Sequence, residues 1–184
     1  MLRRIIVGLL MLSVAACAGS DDLDQAPVGL GDFKLGYNIA VAPKVVKGPL
    51  SRSATKEELT DAVKAAVAAR FDRYEGDKLY HFGVSVESYV LAAPGIPLVL
   101  APKSIMILLV TVWDDAENAK LNARPKQITV VETFGKGKGV GTGYTLTAEE
   151  QLANLSQNAA KSIELYLVEQ MENEGWFTGK TPQE

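Results

Sequence analysis

Few residues in this chain could do covalent or acid–base chemistry. It has 184 residues with one histidine and one cysteine. His81 lies in a stretch, 79–91, where apolar and polar residues alternate. Tyr80, Phe82, Val84, Val86 and Val90 are expected on one strand face, with His81, Ser85 and Glu87 on the other. Ser85 and Glu87 are too far along such a strand to hydrogen-bond His81 directly. A base that activates a nucleophile must be within hydrogen-bond reach of it. His81 therefore reads as a surface histidine, and no catalytic residue is assigned. Asp114, Asp115 and Glu117 could approach a cation, but they read better as a polar turn after the apolar run that ends at Trp113. Glycines alternate at 135, 137, 139, 141 and 143. Their separations are all even, whereas a P-loop needs a five-residue step and a dinucleotide fingerprint a three-residue step. No cofactor or metal site is expected. One histidine and one cysteine cannot build a His-cluster or multi-cysteine zinc site or an internal disulfide framework. A formal net charge of −3 argues against a general nucleic-acid partner.

The single cysteine has a telling position. Arg3 and Arg4 precede a short apolar run, Ile-Ile-Val-Gly-Leu-Leu-Met-Leu, and small residues then lead to Val14-Ala15-Ala16-Cys17. A secretory signal has this order. The run is shorter than the about 20 apolar residues that span a bilayer. An ordinary signal cleaved near Cys17 would leave an unpaired thiol in an exported protein, which oxidising compartments disfavour. Val14-Ala15-Ala16-Cys17 resembles the lipobox of bacterial lipoproteins. The resemblance implies cleavage between Ala16 and Cys17 and lipidation of Cys17 with two or three acyl chains, palmitate among them. Each buried lipid methylene contributes about 0.8 kcal/mol, so several chains hold firmly. Ala18, rather than Asp, follows the cysteine. By the same resemblance this implies the outer membrane, with the protein facing the periplasm.

Patterning organises the rest. Residues 1–16 form the signal and 17–33 an acidic, Gly/Pro-containing flexible tether. Residues 34–175 form one domain, and 176–184 a C-terminal tail. A first strand is expected over 37–46, bent at Pro43. Thr55-Lys-Glu-Glu58 is a capping box. Behind it Leu59, Val63, Val67 and Phe71 recur every four residues in a helix that should end at Gly76. The apolar run 104–113 reads as a strand buried on both faces, and 126–134 as a further strand. Thr147-Ala-Glu-Glu150 starts a second helix, with Leu152, Leu155, Ala159, Ile163, Tyr166, Leu167 and Met171 on one side, ending at Gly175. The fold expected is an α+β two-layer sandwich in the order β-α-β-β-β-α. Its sheet should have about four mainly antiparallel strands, with both amphipathic helices on one face. This order, with the lipobox, resembles small outer-membrane lipoproteins of the lipopolysaccharide-assembly and transport-auxiliary type.

Two segments are candidate contact surfaces. Residues 91–101 are apolar between prolines, with Ile96, Leu98, Val99 and Leu100. They either fold back over an end of the core or form an exposed tip that enters a partner or a lipid surface. Lys136 and Lys138, among the alternating glycines, could meet lipid headgroups or phosphates. The function expected is a lipid-anchored, non-catalytic binding or assembly module at the outer membrane. The membrane is one partner, through the N-terminal lipid, and an envelope protein or amphiphile the other. The alternatives are an envelope hydrolase using His81 or paired carboxylates, and a structural spacer without an exposed apolar patch.

Overall fold

A computed structural model describes residues 20–93, 103–133 and 146–178. The elements run β1 (Lys34–Val41), β2 (Val46–Lys47), α1 (Lys56–Phe71), β3 (Leu79–Val90), β4 (Ile105–Asp114), β5 (Ala119–Lys120), β6 (Lys126–Val131) and α2 (Ala148–Glu174). This is the expected α+β sandwich. β3, β4 and β6 form the antiparallel meander. β1 lies parallel to β3, because α1 carries the chain back between them. Pro43 falls in the turn that divides the expected first strand into β1 and β2. β2 continues the β1 edge along β3, and β5 extends the other edge along β4.

Both capping boxes form as read. Thr55 Oγ1 accepts from Glu58 N at 3.1 Å, and Thr147 Oγ1 accepts from Glu150 N at 3.1 Å. Leu59, Val63, Val67 and Phe71 of α1 are fully buried against the sheet, as are Leu155, Ala159, Ile163 and Leu167 of α2. α2 ends at Gly175, whose left-handed φ of 73° suits a residue without a Cβ. α1 ends earlier than expected, at Phe71, where the Asp72 N–H caps Ala68 O. Gly76 has a different use. Its N–H donates to Phe33 O at 3.0 Å, and a Cβ there would lie 2.5 Å from Phe33 N.

Two strand expectations change. β4 is buried on one face only: Met106, Leu108, Val110 and Val112 enter the core, while Ile105, Ile107, Leu109 and Trp113 are half-buried on the other face. A continuous apolar run does not say which side the helices cover. In β3 the register shifts between Val86 and Ser88. The extra residue reverses the alternation, so Tyr89 and Leu91, not Val90, enter the core.

The domain also extends past both expected ends. Leu30 and Phe33, assigned to the tether, and Phe177, assigned to the tail, are core residues. Asp32 N donates to Phe177 O at 2.9 Å. The Phe33 ring packs on Phe177 at 5.1 Å and on Tyr80 at 5.5 Å. Gly31, at φ 60°, passes so close that a Cβ would lie 2.7 Å from Phe177 O. Large aromatic rings bury enough area to order an otherwise polar segment.

The one-sided burial of β4 gives a direct comparison. Leu108→Ala should destabilise the domain by about 2–5 kcal/mol, and Leu109→Ala by less than about half of that. Equal shifts in urea midpoint would contradict the assignment of core and open faces.

Candidate functional site

Two clusters of polar side chains and one open surface are candidates. The first cluster lies where the C-terminal half of α1 meets α2. Glu164 is buried in the middle of α2. A buried carboxylate needs charged partners to offset its lost hydration. Arg70 Nη1 donates to Glu164 Oε2 at 2.9 Å, Lys161 Nζ donates to the same oxygen at 2.7 Å, and the Tyr74 hydroxyl donates to Oε1 at 2.9 Å. Arg73 lies 3.8 Å from Oε1. Asp22, from the segment read as a solvated spacer, completes the cluster. It accepts from Arg70 Nη2 at 2.6 Å and from Lys161 Nζ at 2.7 Å.

The cluster is built for holding rather than for proton transfer. Burial alone would raise the Asp22 carboxyl, but hydrogen bonds and charge from Arg70 and Lys161 outweigh it and bring its pKa down to about 2. A general acid must be protonated near the working pH, and Asp22 is not. Burial, reinforced by the Glu164 carboxylate, pushes the Tyr74 hydroxyl well above the usual tyrosine range, so it stays a donor.

The second cluster surrounds His81. Nδ1 accepts from the Tyr37 backbone N–H at 2.8 Å, which places the ring proton on Nε2, 2.9 Å from Asp115 Oδ1. The Tyr37 ring lies 4.9 Å from the imidazole. A catalytic histidine held by a carboxylate needs its other nitrogen free for the substrate proton. Here a backbone N–H occupies that nitrogen. Ser85 and Glu87, farther along β3, make no hydrogen bond with His81. Asp114 Oδ1 accepts from Glu117 N at 3.1 Å, so this acidic stretch is the expected turn. Among the described residues no group of three or more His, Cys, Asp or Glu side chains could hold a metal.

The open surface is the sheet face away from the helices. Register places Val41, Ser85, Leu109 and Gln127 in one row across it, Val46, Ser88, Ile107 and Thr129 in another, and Val90, Ile105 and Val131 in a third. Tyr37 is 72% exposed, Ile39 57% and Val46 62%. Sequence patterning does not show this surface: Val90 reads as core, Ile105, Ile107 and Leu109 read as buried on both faces, and the strand at 37–46 carries no facing signal. On the opposite side, between the helices, runs a shallow groove of about 290 Å³ lined by Leu23, Ala62, Ala65, Ala69, Ala153 and Gln157.

The other residues singled out from sequence lie outside the described residues: Ala16 and Cys17, Ile96, Leu98, Val99 and Leu100, and Lys136 and Lys138. Among the described residues no helix is long and apolar enough to cross a membrane.

No family model matches the chain, and no curated protein matches it. Similar solved structures include a Xanthomonas campestris protein of family DUF330, 12% identical with TM-score 0.45, over 82% of this chain and 92% of that one. A suspected lipoprotein from Caulobacter crescentus is 13% identical with TM-score 0.38, over 88% and 100% of the two chains. A minor lipoprotein from Acinetobacter baumannii is 14% identical with TM-score 0.30, over 70% and 93%.

Asp22 gives a pH test with a definite sign. Its folded pKa lies below its ordinary value of 3.8, so its contribution is complete above about pH 4 and fades as pH falls toward 2. Asp22→Asn should lower stability by about 2 kcal/mol at neutral pH, and the difference from wild type should shrink between pH 4 and pH 2. Glu164→Gln, at a fully buried site, should cost about 3–5 kcal/mol. Urea unfolding of the three proteins across that pH range checks both. A pH-independent Asp22→Asn difference would contradict the ionic account.

Proposed function

We propose that the protein is a lipid-anchored, non-catalytic binding or assembly module of the bacterial envelope, held at the outer membrane through Cys17 and facing the periplasm. The anchor rests on the charged, apolar and small-residue order that ends in Val14-Ala15-Ala16-Cys17, and the outer membrane on Ala18. The observation that carries the binding role is the open sheet face. Soluble domains seldom gather exposed apolar side chains such as Tyr37, Ile39, Val41 and Val46 into one surface without using it. A spacer has no need of one. Ile96, Leu98, Val99 and Leu100, with Lys136 and Lys138, are further proposed contact residues toward an envelope protein or amphiphile.

The hydrolase alternative draws no support from the described side chains. The free nitrogen it needs on His81 is occupied, and Asp22 and Glu164, the carboxylates that share partners, are each engaged by Arg70 and Lys161.

Replacing Cys17 by Ser should abolish acylation and move the protein from the membrane fraction to the soluble periplasmic fraction. Persistence in the membrane after a high-salt wash would refute the lipid anchor. Ile39→Asp combined with Val41→Asp should change stability by about 1 kcal/mol or less, since both side chains are exposed. The same pair should abolish cross-linking to envelope components that wild type captures. Capture unchanged by the double substitution would rule out this face.

A further inference from the structure

Residues 20–25 are fastened to the helix layer at four successive points. Ser20 O accepts from Arg70 Nη2 at 3.1 Å, and Asp22 binds both Arg70 and Lys161. Leu23 O and Gln25 O accept from Arg73 Nη1 at 3.1 and 2.9 Å. Leu23 also lines the groove between the helices, beside Ala65 and Ala69. Those alanines lie on the side of α1 away from Leu59, Val63 and Val67, which face the sheet. The segment therefore runs over the outer side of the helix layer.

Cys17 precedes Ser20 by three residues. Three residues span at most about 11 Å, even fully extended. From this we infer that the helix layer faces the bilayer that carries the Cys17 lipid, and that the open sheet face points away from it. The inference rests on the lipid-anchor reading of Cys17. The occupant of the helix side is the membrane surface itself, brought there by a short leash that ends in a buried ion cluster. Charge does not draw it there. The exposed charges of α1 are Glu57, Glu58 and Asp61 against Lys56 and Lys64, so an anionic surface gains nothing. Orientation should therefore be insensitive to salt, unlike electrostatic docking. The sheet face is then presented to whatever lies beyond the membrane surface.

The test uses the full-length, acylated protein in uncharged phosphatidylcholine vesicles that contain a headgroup-attached quencher. A fluorophore is placed on a cysteine introduced at Asp61→Cys on the helix layer, or at Thr129→Cys on the open sheet face. Both sites are exposed, and acylation leaves no thiol at Cys17. Quenching at Asp61→Cys should exceed that at Thr129→Cys several-fold, with no change in 0.5 M salt. Inserting ten Gly/Ser residues between Ala18 and Gly19 lengthens the leash and leaves the ion cluster intact. It should bring the two signals within about two-fold of each other. Equal or reversed quenching in the uninserted protein overturns the orientation, as does a several-fold difference that survives the insertion. A protein whose intact mass lacks acyl chains fails the lipid-anchor reading and takes this inference with it. An acylated protein with equal quenching fails this inference alone.

Discussion

One buried carboxylate organises the helix side of this protein. Glu164 sits in the middle of α2 with almost no access to water. Its charge would be prohibitive there without partners. Arg70 and Arg73 come from the last turn of α1 and the residues just after it, Lys161 from one turn back on α2, and Tyr74 from the loop that follows α1. Meeting these demands at once sets the register of α1 against α2. The alanines at 62, 66, 153 and 160 let the helices approach closely enough for the side chains to meet. The cluster has more cations than Glu164 alone can neutralise. Asp22 supplies the second carboxylate, and with it the N-terminal segment becomes part of the domain.

Tyr74 joins this ionic cluster to the aromatic one. Its hydroxyl serves Glu164, while its ring stacks on Phe71 at 6.0 Å and meets Phe33 edge-on at 5.5 Å. Phe33 in turn touches Phe71, Tyr80, Phe82 and Phe177. The two ends of the described chain thus converge on one end of the core. Loss of either cluster should be felt at the other, because Tyr74 contributes to both.

Strong polar interactions are concentrated between and beneath the helices, and apolar exposure is concentrated on the sheet. The buried cations of the helix layer, Arg70 and Lys161, hold the N-terminal segment through Asp22. The sheet face carries side chains such as Ile39, Val46 and Tyr37 that stabilise little where they stand, since water still reaches them. This separation suits a module fixed on one side and engaged on the other. His81 fits the same picture. Clamped between the Tyr37 N–H and Asp115, it pins the β1 edge strand to the end of β4 rather than serving chemistry.

Elements whose signals are local were legible in the residues alone. Thr55 and Thr147 start helices because a hydroxyl and a carboxylate three residues apart satisfy each other's backbone donors, wherever the helix lies. Gly175 ends α2 because a left-handed residue is cheapest without a Cβ. Leu59, Val63, Val67 and Phe71 mark a buried stripe through helical periodicity. The element order followed, and with it the two-layer class. Tertiary structure decided what depends on distant partners. Val90 changed face because one inserted residue reverses a period of two. The run around Leu109 looked buried on both sides because apolar composition does not reveal which face the helices cover. Asp22 looked like part of a solvated spacer because its partners, Arg70 and Lys161, stand 48 and 139 residues away. Short-range patterns are set by backbone geometry within a few residues. Charge pairing and one-sided burial arise only when the folded chain brings remote groups together and excludes water from between them.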